Sequence, residues 1–210
     1  MPIEERVRQA SLDRRSDERD NTRAKILESA AHLMVADGYD AFSMRKVGER
    51  AGFTATTIYR YFKDRDELVF TVADEAFREF GRRLEAAAAT ETDPMAQIQA
   101  IGRAYVQFGI ERPVHYRLMF IQRPDYLVSC PPNSQEIRLA SFNTLRDAVA
   151  RLVASGRATT AEVELTSHTL WAGVHGIVCL ALSLDWLDQD IVDAMTAQLE
   201  GFFEAGLVRR

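Results

Sequence analysis

The sequence predicts an all-helical protein of about nine helices, and three features carry that prediction. Apolar residues recur three, four and seven positions apart along most of the 210-residue chain, the spacing that gathers them on one helical face. Capping residues precede one apolar-periodic segment after another. No segment alternates apolar and polar residues in the manner of a half-buried strand, and no internal repeat occurs.

Residues 1–20, MPIEERVRQASLDRRSDERD, mix charges of both signs without an apolar stripe and read as a disordered extension. From Asn21 the pattern changes: Ile26, Ala30, Leu33 and Met34 fall on one face of a first helix, which Gly38 in DGYD ends. Ser43 caps a short second helix, MRKVGERA, that stops at Gly52, and Thr54 caps a third, ATTIYRYF. Asp64 with Glu67 makes a capping box for a fourth helix, carried by Leu68, Val72, Ala76, Phe80 and Leu84. Asp93 and Pro94 then open a helix running to Glu111, and Pro113 opens the short VHYRLMF. QRPDYLVSCPPN reads as a loop. Asn133 with Glu136, and Thr159 with Glu162, suggest capping boxes for helices to Ser155 and Leu184. Asp188 or Asp190 opens the last helix, ending near Gly206. This gives an extension at 1–20, a small domain at 21–66 and a larger helical domain at 67–210.

A hydrophobic content of 47% suits a sizeable core, and a net charge of -5 speaks against a nucleic-acid binder taken as a whole. The charge is uneven. From Ser43 to Lys63 the bases Arg45, Lys46, Arg50, Arg60 and Lys63 face one acid, Glu49, a basic island in an acidic protein. Two cysteines, Cys130 and Cys179, make no disulfide framework. No apolar run reaches the ~18 residues of a membrane span. The N-terminus lacks the apolar core of a signal peptide, so the expected location is cytoplasmic.

Two short helices joined by a tight turn at Gly52 form a helix-turn-helix pattern. Such a motif inserts the N-terminal end of its second helix into the DNA major groove. Thr54, Ala55, Thr56 and Thr57 stand at that end: hydroxyls can bond base edges or phosphates, and threonine methyls can meet thymine methyls. Ile58 and Phe62, four apart, can anchor to a core, while Tyr59, Tyr61 and Lys63 fall where they can reach phosphates.

The ordered set ILESAAHLM…DGYDAFSM, VGERAGFTATTIYRYF and FKDRDEL resembles the DNA-binding domain of the TetR family of transcriptional regulators over residues 22–77. The resemblance implies phosphate contacts from Thr22 or Arg23 and from Ser43 and Arg45. It implies base contacts from Thr54, Ala55, Thr56 and Thr57, and a backbone grip from Tyr59, Tyr61 and Lys63. YVQFGIERPVHYRLMF and LWAGVHGIVCLAL are similar to the WHG type of C-terminal ligand-binding domain, with Trp171, His175 and Gly176 as its named residues.

In that domain Tyr105, Phe108, His115, Tyr116, Met119, Phe120 and Phe142 are either core or the wall of an effector pocket, and Trp171 with His175 stands between the same alternatives. Ala172, Gly173 and Gly176, with Leu199, Phe202 and Phe203, suggest a four-helix homodimer interface or else packing within the chain. His168, His175 and Cys179 share a face, but no carboxylate falls at ligand spacing, so neither a metal nor another cofactor is expected. A nucleophile is missing near His115 and His175, so no enzyme is expected. The whole reads as a homodimeric repressor released from a palindromic operator on double-stranded DNA by a small-molecule effector. The alternative is an effector-independent architectural or activating DNA-binding protein.

Overall fold

The computed structural model describes residues 3–121 and 132–208. Among them the chain forms nine helices: α1 (Ile3–Ala41), α2 (Met44–Ala51), α3 (Ala55–Tyr59), α4 (Arg65–Ala89), α5 (Pro94–Glu111), α6 (Pro113–Phe120), α7 (Pro132–Ala154), α8 (Val163–Ala181) and α9 (Gln189–Leu207). The all-helical class predicted from the sequence is the class found. The one strand-like feature among the described residues is an isolated antiparallel bridge between Ala158 and Val208. Most of the loop expected at QRPDYLVSCPPN lies outside the described residues.

The chain divides into two compact units, residues 1–73 and 74–210. The boundary expected after residue 66 thus falls later, inside α4. Leu68, Val69 and Val72, on the first turns of α4, are buried and belong with the first unit.

In the first unit, α1 starts at Ile3 rather than at Asn21, so residues 3–20 are helical where an extension without structure was expected. The reason is that mixed charge denies this segment a core without denying it a helix. Its Glu, Arg, Ala and Leu are good helix formers, and Gln9 Nε2 donates to Asp13 Oδ1 at 2.8 Å across one turn. The buried apolar face begins only at Ile26, continuing through Leu27, Ala30, Ala31 and Met34. Gly38 interrupts α1 with φ 76° and ψ 168°, a conformation that costs an L-residue a steric clash.

The turn between α2 and α3 is fixed from both sides. Ser43 Oγ accepts the Lys46 N–H (3.3 Å), Gly52 closes α2 at φ 76°, and the Phe53 N–H reaches the Gly48 carbonyl at 2.8 Å. A β-carbon on Gly48 would stand 2.7 Å from the Phe53 carbonyl oxygen, so backbone packs on backbone there. Past α3, the Phe62 N–H still bonds the Ile58 carbonyl (3.0 Å), and both side chains are buried, as their spacing predicted. The Asp64 box forms: Glu67 N–H donates to Asp64 Oδ1 (2.8 Å), and Glu67 reaches back to the Lys63 N–H (2.5 Å).

In the second unit α5 is central and contacts α6, α7, α8 and α9. Its start is capped as expected: Asp93 accepts the Met95 and Ala96 N–H groups, and an Arg157 hydrogen bond, the larger cause, with those caps holds its carboxyl below the ordinary range. One cap assignment is corrected, and one pair of alternatives is decided. Thr159 does not cap α8; its hydroxyl donates to the Gly206 carbonyl (2.7 Å) and its N–H to the Leu207 carbonyl (2.8 Å), tying the α7–α8 loop to the end of α9. Asp188, not Asp190, caps α9 through the Ile191 N–H (3.0 Å). None of the helices among the described residues is long and apolar enough to cross a membrane.

Candidate nucleic-acid interface and ligand cavity

The first unit presents α3 by its N-terminal end. Thr54 spends its hydroxyl on structure: Oγ1 accepts the Thr57 N–H (3.2 Å) and lies 3.0 Å from Thr57 Oγ1. Thr56 is exposed, and its hydroxyl bonds nothing among the described residues. Of the three threonines, Thr56 therefore keeps its full hydrogen-bonding capacity for an outside partner, and Ala55 beside it is half-buried. Tyr59 is 55% exposed, Lys63 is exposed and Tyr61 is half-buried, so phenol and ammonium groups stand next to the threonine.

Ser43 and Arg45 lie at the start of α2. Ser43 is committed to its cap, and Arg45 Nη1 pairs with Glu49 at 2.6 Å on an exposed surface, a pair that costs little to open. Lys46 pairs with Asp37 at 2.8 Å. On α1, the Thr22 hydroxyl donates to the Glu18 carbonyl (2.8 Å), and the Arg23 guanidinium sits 5.6 Å from the Phe62 ring centroid. Arg23 thus lies beside the recognition segment, its guanidinium against the Phe62 ring. Gly48, which permits the α2–α3 approach, is a determinant that the sequence reading missed. Its only signal was a glycine inside a helix that needs none for a turn.

The second unit holds a partly open cavity of about 520 Å³, within the range of small-molecule sites. Tyr105, Phe120, Phe142 and Trp171 line it, as do Phe77, Phe80, Leu199 and Phe203. The remaining expected wall residues do not reach it. Phe108, Tyr116 and Met119 are fully buried core, because they point from α5 and α6 into the packed interior rather than the void. His115 is half-buried on α6, away from the lining.

His175 sits behind the wall in a polar chain. Trp171 Nε1–H donates to Tyr105 Oη (3.0 Å), Tyr105 Oη lies 3.0 Å from Tyr116 Oη, and Tyr116 Oη lies 2.5 Å from His175 Nδ1. His175 Nε2 in turn lies 3.4 Å from Cys179 Sγ. One assignment satisfies every group: each hydroxyl donates onward, Nδ1 of a neutral imidazole accepts, and Nε2–H points to sulfur. Burial supports it, since it lowers the His175 pKa below the ordinary value and raises those of Tyr105, Tyr116 and Cys179. The third member of the expected trio, His168, is elsewhere: its ring lies tilted against Phe142, with the centroids 4.7 Å apart. Among the described residues no three His, Cys, Asp or Glu side chains are grouped to hold a metal ion.

The small-residue stripe divides. A β-carbon on Gly173 would stand 2.9 Å from Phe203 and 3.0 Å from Leu199, so these three pack α8 on α9 within the chain. Ala172 and Phe202 are exposed, Phe202 by 65%, and open space surrounds Gly176. Leu165 (67% exposed) and Leu180 (45% exposed) extend the same face of α8 by helical spacing and were missed, since single leucines carry no mark of exposure in a sequence.

Comparison with known proteins gives consistent matches. Residues 26–72 match the family model described as bacterial regulatory proteins, tetR family, and residues 98–206 match that of the Tetracyclin repressor-like C-terminal domain. The HTH-type transcriptional activator FasR of Mycolicibacterium smegmatis is 27% identical over 82% of this chain and 75% of its own. A protein of unknown function from Rhodococcus sp. RHA1 superposes with a TM-score of 0.75 at 25% identity, over 90% of this chain and 96% of that one. A TetR family transcription regulator from Marinobacter aquaeolei VT8 superposes with a TM-score of 0.76 at 17% identity, over 93% of this chain and 100% of that one.

Proposed function

Because the chain belongs to the TetR family of transcriptional regulators, we propose that it binds a palindromic operator as a homodimer and that a small molecule in the second unit's cavity governs that binding. The observation that carries the proposal is the end of α3, where an exposed Thr56 with an uncommitted hydroxyl stands beside Tyr59 and Lys63. Thr56 reads a base edge; Tyr59, Tyr61 and Lys63, with Arg23 and Arg45, hold phosphates. Thr54 and Thr57 shape the helix start, and Ala55 leaves room for the groove floor.

The second copy docks on the face of α8 and α9 that carries Leu165, Ala172, Gly176, Leu180 and Phe202. Two recognition helices then read half-sites about one DNA turn apart, or a multiple of it. A ligand changes DNA affinity only by as much as it prefers one spacing of those helices over the other. In the first reading the protein is a repressor that the ligand releases from DNA. Activation is the second reading, favoured by the name of the 27%-identical FasR, an activator. Either way the output is a binding equilibrium rather than a reaction, and the place of action is the cytoplasm.

Selection of bound sequences from random duplex DNA by the purified protein tests the proposal. A palindrome is the expected result. Binding without any enriched sequence, present only at low salt, would overturn it in favour of a sequence-independent DNA-coating role.

A further inference from the structure

The cavity wall contains a buried cation that the fold leaves largely unanswered. Arg138, on α7, forms part of the wall, and its side chain is only 4% exposed. A guanidinium carries five N–H donors in a planar fork. Among the described residues, none of the Arg138 Nε, Nη1 and Nη2 atoms has a hydrogen-bond partner. Its acid neighbour does not fill them: Asp74 Oδ1 stands 3.6 Å from Nη2, beyond a hydrogen bond, and Asp74 Oδ2 is taken by the Ser134 hydroxyl at 2.6 Å. The Phe77 ring centroid lies 5.5 Å from the guanidinium carbon, which adds cation–π attraction but accepts no N–H.

A buried cation with unmet donors is unfavourable unless an acceptor arrives, and the cavity that Arg138 lines is space from which one can arrive. The other charges of the wall have partners: Glu200 pairs with Arg103 at 2.9 Å, and Arg146 with Asp147 at 3.2 Å and, more loosely, with Glu164 at 4.0 Å. The rest of the wall is largely aromatic and aliphatic, as Phe80, Phe120 and Trp171 illustrate.

We propose that the cavity takes an apolar molecule bearing a single carboxylate, with the Arg138 guanidinium receiving the carboxylate and the aromatic wall receiving the apolar body. The planar fork matches a carboxylate in a bidentate geometry, where an alcohol or ketone offers one acceptor and no charge. Asp74 and Ser134 fix the guanidinium from behind and act as positioning residues. This inference rests on reading the cavity as an effector site.

The test titrates full-length protein carrying Trp186→Phe, in which Trp171 fluorescence reports on the cavity. The probes are straight-chain acids from octanoate to tetradecanoate, each against the alcohol of equal length. At least one acid should bind more tightly than its alcohol by on the order of ten- to a hundredfold. Arg138→Gln should erase that preference while alcohol binding persists. The double variant Asp74→Asn/Arg138→Gln, which removes both buried charges and so spares the fold an orphaned carboxylate, should do the same. Equal binding of acid and alcohol by the unaltered wall, a preference that survives in both variants, or no acid bound at all would overturn the proposal. Repeating the titrations with operator DNA separates it from the effector reading. An acid held through Arg138 that leaves DNA affinity unchanged refutes the effector role alone. A molecule without a carboxylate that fills the cavity and shifts DNA affinity refutes the carboxylate alone.

Discussion

Thr56 and Lys63 stand seven residues apart at the two ends of the recognition segment, and they should fail differently when truncated. Lys63→Ala removes a point charge from a phosphate, so affinity falls for every sequence and the salt slope shrinks by about one unit. Thr56→Ala removes a base contact, so preference relaxes at one operator position while the slope holds. Binding isotherms at several salt concentrations, on the operator and its single-base variants, check both. His175 makes a prediction of the opposite kind, on stability. Burial holds its pKa below the ordinary imidazole value of about 6.5, so the unfolded chain takes up the proton first as pH falls. Its contribution is whole above about that value and is lost as pH drops toward the folded-state pKa. His175→Gln should therefore lower the Tm at pH 7.5 but flatten its fall between pH 7.5 and 5.5, as read by thermal melts. At this scale the sequence exposed residue types but not their commitments. Thr54, Thr56 and Thr57 look alike in a string, and only the cap geometry shows that one hydroxyl remains free for an outside partner.

The elements were more legible than the residues, because caps and apolar periodicity are local. Ser43, Thr54, Asp64 and Asp93 each act where the sequence placed them. The box at Thr159 failed for a non-local reason: the end of α9 offers its hydroxyl and N–H better partners than a helix start would. Gly48 is invisible for the same reason, since its constraint is the backbone of the next turn. Gly48→Ala must push the α2–α3 turn apart, costing on the order of 1–3 kcal/mol and lowering DNA affinity uniformly. Denaturant unfolding with DNA titration checks it, and an unchanged variant would show that the turn gives way freely. The α8–α9 face makes a further prediction. Leu180→Asp combined with Phe202→Glu, both exposed in the single chain, should yield a folded monomer in sedimentation that binds the full operator at least tenfold more weakly. A dimer that survives both charges would move the interface elsewhere.

At the scale of the whole molecule, the ordered motifs of residues 22–77 identified the family, and the helical class followed from composition and period. The cavity did not follow. Whether an aromatic faces core or void depends on how α5, α7 and α8 pack, and so Phe108 and Tyr105, three residues apart on one helix, received the same reading and part company in the structure. Arg138 went unnoticed because a lone arginine in an amphipathic helix reads as solvent-facing until its burial is known. The central claim, however, concerns two copies on one DNA. The most direct measurement is the stoichiometry and spacing dependence of binding to a selected duplex, by sedimentation and titration, with about five base pairs, half of a ~10.5 bp turn, inserted between half-sites. The account predicts two chains per duplex, or a multiple of two, and loss of most affinity on insertion. One chain per duplex, or indifference to the insertion, would contradict it.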